Sequence, residues 1–137
     1  MVNCVEIGMH KHGCCVMQRC LEKGTLLQKL ALADYIIVHL NSLLECPYGN
    51  YLVQNVLKLN DREKNERVLA NIATDFIRLS QLKFSSNVIE KCLDPSLAID
   101  RSLVSKMFRG TLPHDDCSIR RELGSKVPLG QRVSFIV

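Results

Sequence analysis

Apolar residues recur at Val16, Met17 and Leu21, again at Leu52, Val53 and Leu57, and again at Val88, Ile89 and Leu93, a pattern repeated at a spacing of 36 residues. Each set holds two adjacent residues and a third four further on, so it occupies one face of a helix. The surrounding words are HGCCVMQRCL from His12 to Leu21, YGNYLVQNVL from Tyr48 to Leu57 and FSSNVIEKCL from Phe84 to Leu93. A fixed period of this length marks a solenoid, in which each repeat covers the apolar face of its neighbour. Val16, Leu52, Val88 and their neighbours are therefore expected in the core.

The rest of the period is helical too. Arg62 to Ile72 is rich in helix formers with Val68, Leu69 and Ile72 on one side, and Phe76, Ile77, Leu79 and Leu82 follow at helical spacing. Three short helices per repeat is the natural count. Pro47 marks the break between the second and third helices of the middle repeat, because the residue before a proline avoids helical backbone. Ile99 to Phe108 falls 36 residues after Glu63 to Ile72 and is expected to be the first helix of a further repeat.

Inside the apolar frame some polar positions vary. Numbered from its start, the third helix holds Cys14, Cys15 and Gln18 at its first, second and fifth positions in the first repeat. The same positions hold Asn50, Tyr51 and Gln54 in the second, and Ser86, Asn87 and Glu90 in the third. First and fifth positions are one turn apart and project side by side, with the second position next to them. Stacked repeats would align these triplets into a row along one surface.

Composition narrows what that row can be. With 47% hydrophobic and 23% charged residues, the chain has the make-up of an ordinary globular domain and should bury a core. The longest apolar stretch, Leu30 to Leu40, is interrupted by Asp34 and His39 and falls short of the roughly 18 residues of a membrane span, so no membrane is expected. The first residues lack a basic segment followed by an apolar one, which points to an intracellular protein, cytoplasmic with the nucleus or nucleolus as alternatives. Seven cysteines without scaffold spacing then read as reduced, mostly buried thiols. No C-x-x-C pair is present and adjacent Cys14 and Cys15 diverge by about 100° on a helix, so no zinc site and no other cofactor is expected. No orienting partner or oxyanion donor accompanies these thiols, which argues against an enzyme. The net charge is +4, but residues 1–94 hold 11 Lys and Arg against 10 Asp and Glu. Such near-neutral repeats lack the basic stripe of a phosphate-backbone binder, so any nucleic acid must be held through its bases.

The triplets within YGNYLVQNVL and SSNVIEKCL, with the period of 36, resemble Pumilio-type (PUF) RNA-binding repeats, and HKHGCCVMQRCL is similar to plant members of that family. The likeness covers about residues 1–94. It implies an all-α, right-handed α-solenoid, an armadillo-like superhelix of three-helix repeats that reads one base per repeat. The implied organisation is a partial repeat over 1–24 with its recognition helix at about 13–22, whole repeats over 25–60 and 61–94, and the first helix of an incomplete repeat over 95–109. Residues 110–137, rich in glycine, proline and clustered charge, are expected to form a poorly ordered tail. The frame begins inside a period, with Met1 aligned to Ile37, and implies a chain cut across repeat boundaries at both ends. Apolar repeat faces are then expected to be partly exposed at the two ends.

In this resemblance the first and fifth residues contact a base edge and the second stacks between bases. Side-chain chemistry points the same way. The ionised carboxylate of Glu90 only accepts, which suits the two adjacent donors of guanine; the amides of Asn50 and Gln54 suit uracil, with Tyr51 as a stacking platform. Gln18 suits adenine, with Cys14 small enough to leave room. Antiparallel binding, as the family implies, makes the reading 5′-GUA-3′, part of a UGUA core. Cys15 departs from the family in lacking a planar stacking group. The implied ligand is single-stranded RNA in the 3′ untranslated regions of messages, with translational repressor or deadenylase proteins as partners and control of translation and message stability as the role. Two alternatives are a protein-interaction α-solenoid without RNA binding and a nucleolar factor in ribosomal RNA processing.

Overall fold

Three kinds of helix alternate along the chain, and each starts where its sequence supplies an acceptor, a bend or a close contact. The structure, a computed structural model, describes residues 3–102, 104 and 105. Its helices are α1 (Cys4–Met9), α2 (Lys11–Lys23), α3 (Leu26–Val38), α4 (Leu40–Leu44), α5 (Gly49–Lys58), α6 (Arg62–Thr74), α7 (Phe76–Gln81) and α8 (Ser85–Cys92). The long helices α3 and α6 match at both ends after a shift of 36, the short helices α1, α4 and α7 begin 36 apart, and so do α5 and α8. Among the described residues there is no strand, and the packed helices form an α-solenoid.

The long helices start on side-chain caps. Thr25 accepts the Gln28 amide while Gln28 Oε1 accepts the Thr25 N–H at 2.9 Å, a reciprocal capping box. One period on, Asp61 takes over, accepting the Lys64 N–H at 3.0 Å. The next equivalent is Leu97, which has no acceptor, and the helical turn begins only at Arg101, after Asp100 has accepted the Ser102 N–H at 2.8 Å. The expected start at Ile99 is thus displaced, although Val104, the equivalent of Val68, is buried as the period requires. The end of that helix and residues 106–137 lie outside the described residues.

The third helix of each period starts against the second. A side-chain carbon on Gly49 would lie 3.0 Å from the Leu43 carbonyl oxygen, so glycine allows α5 to approach α4 that closely. Ser85 occupies the same position in α8 by turning its hydroxyl into a 2.7 Å bond to the Leu79 carbonyl. α2 begins two residues earlier in the frame than α5 and α8, at Lys11, where the second repeat has Pro47. His10 Nδ1 there accepts the His12 amide, whereas proline keeps Cys46 out of a helix.

Packing between repeats decides which apolar positions form the core. Leu52, Val56 and Val88 are fully buried, and Leu52 reaches Gly8 of the preceding repeat so closely that a Cβ there would meet it at 2.7 Å. Val16 is the exception to the expected core: it is 62% exposed. It holds the same register as Leu52, but no repeat packs on its outer side among the described residues. The expected open apolar face is therefore present at this end. At the other end Leu97, Ile99 and Val104 pack against the core and cover the last complete repeat. The N–H of Ala98 is held there at 2.6 Å by Asn60, whose left-handed backbone (φ 60°) ends α5.

Salt bridges tie the outer helices across the repeat boundary. Asp34 of α3 accepts from Lys64 Nζ at 2.7 Å and Arg67 Nη1 at 2.5 Å, both on α6. The Lys64 bond is the larger cause holding the Asp34 carboxyl below its ordinary range, with Arg67 adding to it against some desolvation. Arg78 of α7 links back to Glu45 at 2.7 Å.

Candidate functional site

α5 packs between α2 and α8, which sets three equivalent helices side by side and brings their first, second and fifth positions into one row. The first positions share a bond pattern. Cys14 Sγ donates to the Lys11 carbonyl at 3.4 Å, Asn50 Nδ2 to the Pro47 carbonyl at 3.0 Å, and Ser86 Oγ to the Lys83 carbonyl at 3.1 Å. Asn50 and Ser86 therefore turn back onto the end of the preceding loop, and Cys14 onto the first residue of α2.

That turn modifies the expectation that first and fifth positions project equally. Cys14 and Asn50 are 3% and 1% exposed, and Ser86 is half-buried. Asn50 is the most firmly held, because its amide also donates to the Cys46 carbonyl at 2.9 Å and so commits both N–H groups inside the protein. The fifth positions carry most of the reachable polar chemistry. Gln54 donates at 3.1 Å to Asn50 Oδ1 and Gln18 at 3.7 Å to Cys14 Sγ, which leaves each glutamine one N–H and its carbonyl oxygen. Glu90 is exposed, and its carboxylate makes no bond to a described residue.

At the second positions Cys15 and Asn87 are exposed and Tyr51 presents half of its surface. Tyr51 is the one aromatic ring of the three. Asn55, which the sequence reading passed over, donates to the Tyr51 carbonyl at 3.1 Å and steadies the helix beneath the ring. Its equivalents Arg19 and Lys91 are engaged on their own helices, Arg19 with Glu22 at 3.3 Å and Lys91 with Asp94 at 2.5 Å. The bond from Lys91, followed by those from Ser96, keeps the Asp94 carboxyl well below the usual carboxylate range. The inward turn at the first position has a signal in the sequence only in retrospect: donors stand at all three positions, but their acceptors are backbone groups.

Burial raises the Cys14 thiol, with neighbouring Cys15 adding to it, so the Cys14 sulfur stays protonated near neutral pH. All six described cysteines are free, but only Cys14, Cys46 and Cys92 are buried where most were expected to be, and among the described residues no three metal-ligating side chains converge. No described helix is long and apolar enough to cross a membrane.

Comparison with known proteins bears on this row of helices. The family model described as the Pumilio-family RNA binding repeat matches residues 3–37, 46–73 and 76–102. Putative pumilio homolog 8, chloroplastic, from Arabidopsis thaliana is 36% identical over 117 residues, which is 85% of this chain and 22% of that protein. The structure is similar to PUF-8 in complex with PBE-RNA, with a TM-score of 0.76 at 25% identity over 97% of this chain and 42% of the other. It is also similar to the Puf4 RNA binding domain bound to an HO endonuclease RNA 3′ UTR recognition sequence, with a TM-score of 0.69 at 31% identity over 90% of this chain and 37% of that one. The chain thus spans about a fifth of the plant relative and about two fifths of the matched structures.

Proposed function

This chain belongs to the Pumilio family of RNA-binding repeats, a family of binding modules and not of enzymes, and we propose that it binds single-stranded RNA along α2, α5 and α8. In this reading Glu90 accepts from guanine, Gln54, held in place by Asn50, meets uracil, and Gln18 meets adenine, so that the strand reads 5′-GUA-3′. The observation that carries it is the fifth-position row, in which Gln18, Gln54 and Glu90 follow one another at the period with free polar groups of differing kind.

The first positions act chiefly by shape and by holding their neighbours. Asn50 Oδ1 fixes the Gln54 amide, leaving that amide one donor and one acceptor for the uracil edge. The protonated thiol of Cys14 holds Gln18 more loosely across a longer contact. Glu90 needs no such partner, because a carboxylate offers acceptors in either orientation. Tyr51 supplies the stacking surface, and base–aromatic stacking contributes about 1–3 kcal/mol per base. With one aromatic platform, the chain by itself should bind weakly, at about micromolar affinity or below.

Sites in message 3′ untranslated regions fit this chemistry, and the similar Puf4 RNA binding domain is bound to one such sequence in its solved structure. Control of translation and message decay in the cytoplasm, through repressor or deadenylase proteins, is the biological role that goes with this reading. The direct test is fluorescence anisotropy of the full chain with labelled RNA holding 5′-UGUA-3′ and with its scrambled counterpart. The expected result is preference for the first strand, lost in Gln54→Ala. Equal binding of the two strands would remove the sequence-reading claim. A second reading, a scaffold that binds protein alone, is favoured by exposed Leu27 (81%) and Val38 on α3. It would take the lead if no RNA bound to the folded chain.

A further inference from the structure

The row formed by the first, second and fifth positions has two edges, and their charges differ. On one edge, three residues before each first position, stand Lys11, Pro47 and Lys83. Helical geometry already runs through them, because the N–H groups of Cys14, Asn50 and Ser86 donate to the His10, Cys46 and Leu82 carbonyls at 2.9, 3.3 and 3.1 Å. All three are exposed, and Pro47 and Lys83 are so with a preceding repeat packed beside them, so the exposure belongs to the position. On the other edge, four residues after each fifth position, stand Glu22, Lys58 and Asp94. The cations near the row also differ in how they are held. Arg19 and Lys91 pair with Glu22 and Asp94, whereas Lys11 and Lys83 make no ion pair with a described residue. Lys83 is placed as well as unpaired: its Nζ lies 5.6 Å from the centre of the Phe84 ring, and its carbonyl accepts the Ser86 hydroxyl at 3.1 Å. The ring keeps the ammonium beside the first position without neutralising it. Lys58, on the opposite edge, lies between two repeats whose equivalent residue is an acid, a setting that repels phosphate.

We infer that a bound single strand runs its sugar–phosphate backbone along the Lys11 and Lys83 edge, with Lys83 taking a phosphate beside the guanine and Lys11 one beside the adenine. The inference rests on the RNA reading above and adds the side of the row on which the anionic chain lies. Pro47 supplies no charge between the two lysines, so the uracil is held through Gln54 and Tyr51 alone. Two phosphate contacts accord with repeats that are nearly neutral, since they fix the strand's position and leave sequence to the bases.

Fluorescence anisotropy of the full chain with labelled 5′-UGUA-3′ RNA, titrated at salt concentrations from about 50 to about 200 mM, tests it. For a single strand each phosphate contact contributes about 0.7 to the slope of log affinity against log salt, so Lys83→Met and Lys11→Met should each lower the slope by about that amount. Lys58→Met should leave it unchanged. The preference for this strand over 5′-UAUA-3′ should stay as in the wild type in all three variants, because phosphate contacts carry no sequence information. A strand with uncharged methylphosphonate linkages on both sides of the guanine should give the same slope with wild type and Lys83→Met. An unaltered slope in Lys83→Met, with RNA binding intact, overturns the inference and leaves base reading standing. So does a loss at Lys58→Met as large as that at Lys83→Met. A folded wild-type chain that binds no RNA overturns both.

Discussion

Helices α2 and α5 carry the same pattern one period apart and live in different surroundings. On α5, Leu52 and Val56 are sealed by the repeat before them, Asn50 is held by three hydrogen bonds, and Tyr51 offers a ring at the surface. On α2, Val16 and Cys20 face outward, Cys14 makes only sulfur contacts, and Cys15 stands where the ring would be. The backbone frame is common to both. Burial is supplied by a neighbour, and chemical character by the residue itself, so one helix of a solenoid is a complete unit only when its neighbours are present.

The largest expected effect breaks or confirms the burial half of this contrast. Leu52→Ala should lower stability by about 2–5 kcal/mol, because a fully buried leucine leaves a cavity. Val16→Ala, at the same register, should change it by no more than about 0.5 kcal/mol. Urea unfolding followed by circular dichroism measures both. Comparable losses would mean that α2 is packed as α5 is.

Next in size is the polar half. Asn50→Ala removes two donors from the carbonyls of Cys46 and Pro47 in a buried place and should cost about 1–3 kcal/mol. Ser86→Ala, at the same position of α8, loses one bond at a half-buried site and should cost less, about 0.5–1.5 kcal/mol. The same denaturation assay ranks them, and a larger loss at Ser86 would show that the shared bond, not the Asn50 network, fixes the first position.

The smallest effect concerns the bridge that joins the two repeats on their outer side. The Asp34 carboxyl is depressed in the folded state by Lys64 and Arg67, so its contribution is present above the unfolded value near pH 4 and is lost as pH falls through the folded value. Because Asp34 is substantially exposed, solvent screening limits the contribution to about 1 kcal/mol or less. Asp34→Asn should therefore lower stability slightly at pH 7, and the difference from wild type should fade towards pH 2. A difference that grew on acidification would contradict the assigned sign.

Much of this was legible in the sequence, and the exceptions have physical causes. The 36-residue period, the helical character and the register of Gln18, Gln54 and Glu90 are carried by residue type and spacing alone, and the helices recur at that interval. Val16 could not be told from Leu52 in that way, since both are apolar at equivalent positions and only the presence of an adjoining repeat separates them. The inward turn of Asn50 depends on where the Cys46 and Pro47 carbonyls point, a property of the loop before α5. The late start of the helix at Arg101 was readable: Leu97 stands where Thr25 and Asp61 supply caps, and Asp100 is the next acceptor.

The central claim is that the fifth-position row reads bases, and Glu90 is where one atom type decides the outcome. Its carboxylate accepts from guanine but has no proton for the N1 of adenine or the carbonyl oxygens of uracil. The most direct measurement is competition binding of 5′-UGUA-3′ against 5′-UAUA-3′ and 5′-UUUA-3′, with wild type and Glu90→Gln, both placed within a longer array of repeats so that affinity is measurable. The account predicts that Glu90→Gln lowers the guanine preference by about 1–3 kcal/mol, on the scale of a bidentate base contact. The uracil preference opposite Gln54 should stay unchanged. An unaltered ranking of the three strands after Glu90→Gln would contradict it.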